Sequence, residues 1–194
     1  TQRSGTTASL NAVAAVDNAR VWAVGSDCTI EFTSNGGVSW ARDTNVIGCT
    51  PGTTLTAVAI HAGSGPAWAV GTNGTVLVCA TACNTVNASW RALSGPVAGL
   101  PSASLRFTSV WSRDANHVYA AGTTAAGAGE LWACSSKCKS LTNGSGAGSW
   151  SNVTPPGLDT TALNAIGGSG DLVVAVGSNG VVLVCNGLTC STGA

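Results

Sequence analysis

The chain has 194 residues, zero formal net charge and only 8% charged residues, against roughly 25% in an ordinary soluble protein. Eight basic and eight acidic side chains, spread singly, form no basic stripe, which argues against work on nucleic acid or other polyanions. The longest apolar runs, such as Leu172 to Val176, are strand-sized and well short of the roughly 18 residues of a membrane span, and the length suits one all-β array better than two unrelated domains.

In chain order, residues 1–9 lead into a first predicted strand, Leu10 to Val16. Val21 to Val24 is a compact apolar run stopped by Gly25. Thr29 to Thr33 is a second β-prone run, stopped by the hairpin signal Asn35-Gly36-Gly37. Ser39-Trp40 marks a fourth strand. The set then recurs: Trp22-Ala23-Val24-Gly25 returns as Trp68-Ala69-Val70-Gly71, Tyr119-Ala120-Ala121-Gly122 and Val174-Ala175-Val176-Gly177, at intervals of about 50 residues. A leading strand precedes each later copy at Leu55 to Ile60, Phe107 to Trp111 and Leu163 to Ile166. Thr75 to Cys79, Glu130 to Cys134 and Val181 to Cys185 follow as third strands. Ser89-Trp90 and Ser149-Trp150 supply the fourth.

Four short strands per repeat and no helical period predict an all-β chain, a β-propeller with four blade repeats near 10–54, 55–104, 105–162 and 163–194; a single β-sandwich is the alternative. Thr44 to Thr54, Leu93 to Ser104 and Asn152 to Thr161 read as linkers within the fold. Thr123 to Gly129, longer than its counterparts, reads as a mobile loop. The fourth copy carries no Ser-Trp strand, so its edge is expected to be covered by residues 1–9. Coverage from the same chain, closing a four-bladed ring, is the first expectation. Coverage from a neighbour gives a head-to-tail homo-oligomer or filament, and membership of a larger ring is the third form.

Eight cysteines in so uncharged a chain point to an oxidising compartment. With Thr1 at the start and no Met, they give the expectation of a secreted protein whose signal peptide has been removed. Cys79 and Cys83, Cys134 and Cys138, and Cys185 and Cys190 each bracket the turn after a third strand at one repeat position, which supports local pairing. Cys28 and Cys49 then pair by elimination, giving four disulfides, although eight cysteines allow about 105 connectivities in principle. The pairs fall in different repeats with no histidine to complete a set, so no metal and no cofactor is expected.

No catalytic residues are assigned. His117 holds the place of Arg20 in the first copy, and Asp17 and Asp114 read as turn caps. Glu31 and Glu130, the only glutamates, are the remaining route to a glycoside hydrolase, provided they share a cleft. Most of the seven tryptophans read as packing. Trp111 and Trp132 break the repeat, standing where Val16 and Leu77 stand elsewhere, and with His117 they form the candidate site for a carbohydrate, whose apolar face would stack on an indole.

The stretch Val21 to Trp40 resembles the repeats of the photosystem II stability and assembly factor family and, more loosely, the Asp-box repeats of sialidase-like propellers. The family's blade reads approximately Trp-Ala-Val-Gly, a turn, an aliphatic strand and Thr-Asp-Gly-Gly-x-Thr-Trp; here the last part is Thr33-Ser34-Asn35-Gly36-Gly37-Val38-Ser39-Trp40, with Asn for Asp. The resemblance implies a secreted or lumenal propeller used for binding or assembly. It carries over no active-site residue, since the Asp-box is a folding motif. The expected function is therefore a non-catalytic structural, assembly or protein-binding module, with a lectin as the second reading and a glycoside hydrolase as the third.

Overall fold

The computed structural model describes residues 4–61, 65–93, 104–140 and 148–192. It is a β-propeller array of four antiparallel sheets. The first contains β1 (Leu10–Ala15), β2 (Val21–Gly25), β3 (Ile30–Thr33) and β4 (Ala41–Arg42). The second contains β6 (Leu55–Ile60), β7 (Ala67–Gly71), β8 (Val76–Cys79) and β9 (Trp90–Ala92), with β5 (Val46–Ile47) added parallel to β9 at its outer edge. The third contains β10 (Leu105–Asp114), β11 (His117–Thr124), β12 (Gly129–Cys134) and β13 (Trp150–Asn152). The fourth contains β14 (Leu163–Ser169), β15 (Leu172–Gly177), β16 (Val182–Asn186) and β17 (Thr189–Thr192).

The glycine that ends each Trp-Ala-Val-Gly copy has a steric cause. A Cβ on Gly25, Gly71, Gly122 or Gly177 would lie 1.9, 2.3, 2.9 or 2.3 Å from the carbonyl oxygen of Ser9, Thr54, Arg106 or Ala162, each just before or within the leading strand. Only glycine admits that approach. In three copies the next residue uses it: the amides of Ser26, Thr72 and Ser178 donate to Ser9, Thr54 and Ala162 at 2.9, 3.0 and 2.9 Å.

The leading strands β1, β6, β10 and β14 pack against one another in chain order. Strand alternation gives every sheet two faces, and three buried cores fill the spaces between consecutive sheets. Trp22, Val24, Ile30 and Phe32 of the first sheet meet Leu55, Val58, Ala69 and Leu77 of the second. Trp68, Val70, Val76 and Val78 meet Phe107, Ala120, Trp132 and Trp150 of the third. Tyr119, Ala121 and Leu131 meet Leu163, Val173, Ala175 and Leu183 of the fourth. β7 and β8, sandwiched between sheets, are buried along their whole length.

Three expectations are corrected. The fourth sheet does not lack its last strand, because β17 supplies one from Thr189–Thr192, tied to β16 by the register pair and disulfide Cys185–Cys190. Residues 4–9 accordingly do not complete that sheet. They lie by the first one, where Ser4 to Thr7 share a groove with Glu31, Trp40 and Arg42; residues 1–3 lie outside the described residues. No same-chain ring closure is seen, since among the described residues the fourth and first sheets share no buried core. Finally, 123–129 is not an open loop. It lengthens β11 and β12 and ends in a turn in which Thr124 N donates to Ala128 O at 2.8 Å and Gly127 N to Thr124 O at 3.0 Å. Of the expected linker Leu93 to Ser104, residues 94–103 lie outside the described residues.

The four disulfides are Cys28–Cys49, Cys79–Cys83, Cys134–Cys138 and Cys185–Cys190. Turn capping by aspartate is also present: Asp17 Oδ1 accepts from the amides of Ala19 and Arg20, and Asp114 Oδ1 from that of Asn116.

Candidate functional site

The residues singled out in sequence do not converge. Trp132 is buried in the core between the second and third sheets, where its Nε1 donates to Glu130 Oε2 at 2.7 Å. Trp111 is half-buried on the other face of the same sheet. There it packs against Tyr119, with ring centroids 6.0 Å apart, and over Gly168 of the fourth sheet, where a Cβ would come within 3.0 Å of the indole. One indole is a core residue and the other an inter-sheet wedge, so the two cannot flank one ligand.

His117 joins a polar cluster at the end of the β10–β11 hairpin. Arg113 Nη2 lies 2.7 Å from His117 Nδ1, and its Nε donates to Asp114 Oδ2 at 3.1 Å. Its Nη1 reaches across to Asp171 of the fourth sheet. Burial raises the pKa of Asp114. Hydrogen bonds from the Asn116 amide, His117 and Arg113 outweigh it and bring the carboxyl to about 2. The cluster therefore clamps two sheets with satisfied charges, a structural task. Glu31 and Glu130 line separate grooves, so the carboxylate pair of a glycosidase is not assembled from them.

Two surfaces that sequence reasoning missed are more informative. At the mouth of the leading strands, a groove of about 510 Å³ is lined by Thr72, Asn73, Arg106, Thr108, Thr123 and Asn164. Leu105, Ala125 and Ala162 line it as well, and Arg106 is exposed with no ion pair among the described residues.

The second is the pair of faces left free at the two ends of the array. In the fourth sheet, Val174 pairs with Val184 and Val176 with Val182, the places held by Trp22 with Phe32 and Val24 with Ile30 in the first. Ile30 is 0% exposed and Val182 44%. With Leu172 and Ala165 these valines form an apolar face, and β14, β15 and β16 contain no charged residue. At the other end, Val13 of β1 is 69% exposed, whereas its equivalents Val58 and Val110 are 8% and 7% exposed; Leu10 is exposed where Leu55 and Leu163 are buried. The outer part of that face is different. Glu31 stands where the other sheets have Leu77, Trp132 and Leu183, and burial raises its pKa, opposed by the Arg42 charge. The sequence signal for the fourth-sheet face was present as alternating valines without charge. Alternation alone does not say whether a neighbour covers them.

No family model and no curated protein matches the chain. Among solved structures it is similar to YCF48 bound to D1 peptide, at 18% identity and a TM-score of 0.64, with 94% of this chain covering 53% of that one. It is similar to the WD40 β-propeller domain of Doa1 at 12% identity and a TM-score of 0.61, with 97% covering 55%. The computationally designed Ika4 protein matches at 17% identity and a TM-score of 0.58, with 94% covering 93%. The likeness shows the β-propeller fold, and the chain spans about half the length of the YCF48 and Doa1 chains.

Proposed function

We propose that the chain is a structural or protein-binding module that works without chemistry of its own, in an oxidising compartment outside the cytosol, through the blade faces at its two ends. The observation that carries this is the fourth-sheet face of Val174, Val176, Val182 and Val184, continued by Leu172, apolar and uncharged, with the four valines at positions buried in the other three sheets. Contiguous apolar surface of this kind on a folded domain marks a docking site. The similarity to propellers supports the reading, one of them YCF48 bound to D1 peptide. Four disulfides support the compartment.

The test uses 8-anilinonaphthalene-1-sulfonate at dilutions where the protein sediments as a single 19.0 kDa species. The expected result is strong fluorescence enhancement by the wild type, lost in the double variant Val182→Asp/Val184→Asp with an unchanged far-ultraviolet spectrum. A wild-type protein that does not enhance the dye would overturn the reading.

A further inference from the structure

The leading strands carry a second repeat that points past the end of the array. In each, the register breaks at an equivalent residue near the start of the strand: between Leu10 and Ala12, Leu55 and Ala57, Phe107 and Ser109, and Leu163 and Ala165, with β10 breaking a second time between Ser112 and Asp114. The residues skipped at the equivalent break are Asn11, Thr56, Thr108 and Asn164. A bulge frees its extra residue from the ladder and re-aims its side chain. The first three use that freedom identically. Asn11 Nδ2 donates to Leu55 O at 2.8 Å, Thr56 Oγ1 to Phe107 O at 2.6 Å, and Thr108 Oγ1 to Leu163 O at 2.7 Å. Each acceptor lies near the start of the next sheet's leading strand. Asn164 is the fourth member of the series, exposed, with no hydrogen-bond partner among the described residues. By the same pattern its acceptor is the carbonyl of Leu10.

We propose that two copies of this chain dock head to tail, the fourth sheet of each on the first sheet of the other, closing a ring of eight sheets. The proposal rests on the reading that the end faces are docking surfaces, and names their occupant. The two free faces are the unlike halves of one junction that the chain already makes three times internally. The half bearing Val174, Val176, Val182 and Val184 matches the side of Trp22, Val24, Ile30 and Phe32. The half bearing Leu10 and Val13 matches the side of Leu55 and Val58. One molecule that carries both halves is its own complement in a heterologous contact. Asn164 supplies the donor that the series requires and Leu10 the acceptor.

Net repulsion does not oppose self-association, because the formal net charge is zero and the fourth-sheet face is uncharged; on the facing side Glu31 is already buried beside Ser4 to Thr7 and Arg42 within the single chain. Ser4 to Thr7 share the outer groove of the first sheet with Glu31 and Arg42. The inner strand β1 keeps Leu10 and Val13 exposed, and at the internal junctions the inner strands pack against one another alongside the second and third strands. The number of copies is taken from chain length: this chain covers 53% of the YCF48 chain and 55% of the Doa1 chain, so two copies supply about one such array.

Sedimentation of the intact chain from micromolar to about millimolar concentration, a range bracketing modest affinities, tests this. The expected limit is twice the 19.0 kDa of one chain, with no larger species. Val13→Asp and Val184→Asp each place an unpaired charge in the junction and should raise the dissociation constant at least about 100-fold. Asn164→Ala should raise it about 10- to 100-fold, the worth of two hydrogen bonds, one at each junction, without altering the melting of the dilute monomer. An equimolar mixture of the Val13→Asp and Val184→Asp proteins should recover a dimer, because one of its two junctions is wild type.

A wild type that stays monomeric overturns the proposal, as does mass growing beyond the dimer. A Val13→Asp protein that dimerises like the wild type would show fourth sheets pairing with each other, and also overturns it. A monomer that still enhances the dye removes the second copy but leaves the docking face standing; a monomer that does not enhance it removes both.

Discussion

Asn35 organises the turn between β3 and β4 through one amide group. Its Oδ1 accepts from the Ser39 amide at 2.9 Å and from Thr33 Oγ1 at 3.0 Å, and its Nδ2 donates to Ser39 Oγ at 2.8 Å, while Thr33 Oγ1 accepts from the Gly37 amide at 2.9 Å. Asn35→Ala should cost about 1–2 kcal/mol in urea unfolding, and Asn35→Asp, which keeps the acceptor, distinctly less. Trp132 is a sharper case, because sequence reasoning offered it as a sugar platform. Buried and bonded to Glu130, it predicts a loss of about 3–5 kcal/mol for Trp132→Ala, read as a lower denaturation midpoint. The misreading has a physical cause: an indole that replaces an aliphatic residue can equally fill a wider gap between sheets.

Glu31 runs opposite to the two low carboxylates. Asp17, held by its hydrogen bond to Arg20 and by the Ala19 and Arg20 amides, is brought to about 2, like Asp114. Their stabilisation is complete above the ordinary aspartate value and is lost as pH falls from about 4 toward about 2. Glu31, raised by burial and with Oε2 unpartnered among the described residues, costs stability as pH rises above its ordinary value. Glu31→Gln should therefore be more stable than the wild type at pH 7, and the difference should vanish below about pH 4.

At the scale of the strand and hairpin, the disulfides divide by loop length. Cys28–Cys49 spans 21 residues and joins the β2–β3 turn to the linker after β5, whereas Cys79–Cys83 and Cys134–Cys138 each span 4 and clip one turn. Loop entropy alone makes the longer bridge worth about 1.5 kcal/mol more. The Cys28→Ala/Cys49→Ala protein should lose that much more in urea unfolding than the Cys79→Ala/Cys83→Ala protein loses from its closed loop, once the buried volume of the second pair is matched by a Cys79→Val control. The hairpins themselves were legible, because the glycine that ends each Trp-Ala-Val-Gly run answers to a local clash with a carbonyl oxygen. β17 was not. The first three repeats mark their fourth strand with Ser-Trp, while the last marks it with Gly187, at φ 63°, and the cross-strand pair Cys185–Cys190.

For the whole molecule, each sheet draws stability from the neighbours it touches, as in other repeat arrays. The order of the sheets was readable from the repeats. Whether the ends meet was not, since the same alternation of valines serves an inner sheet and a terminal one. The consequence can be measured by amide hydrogen exchange. β7 and β8, buried on both faces, should be the most protected strands, and β15 and β16, with one face bare, should open at lower free energy despite equivalent ladders. Raising the concentration to where the dimer forms should slow exchange in β1, β15 and β16 while leaving β7 and β8 unchanged. Protection that is uniform in dilute solution would mean that the free faces cost the end sheets nothing, and the neighbour account of stability in this array would fail.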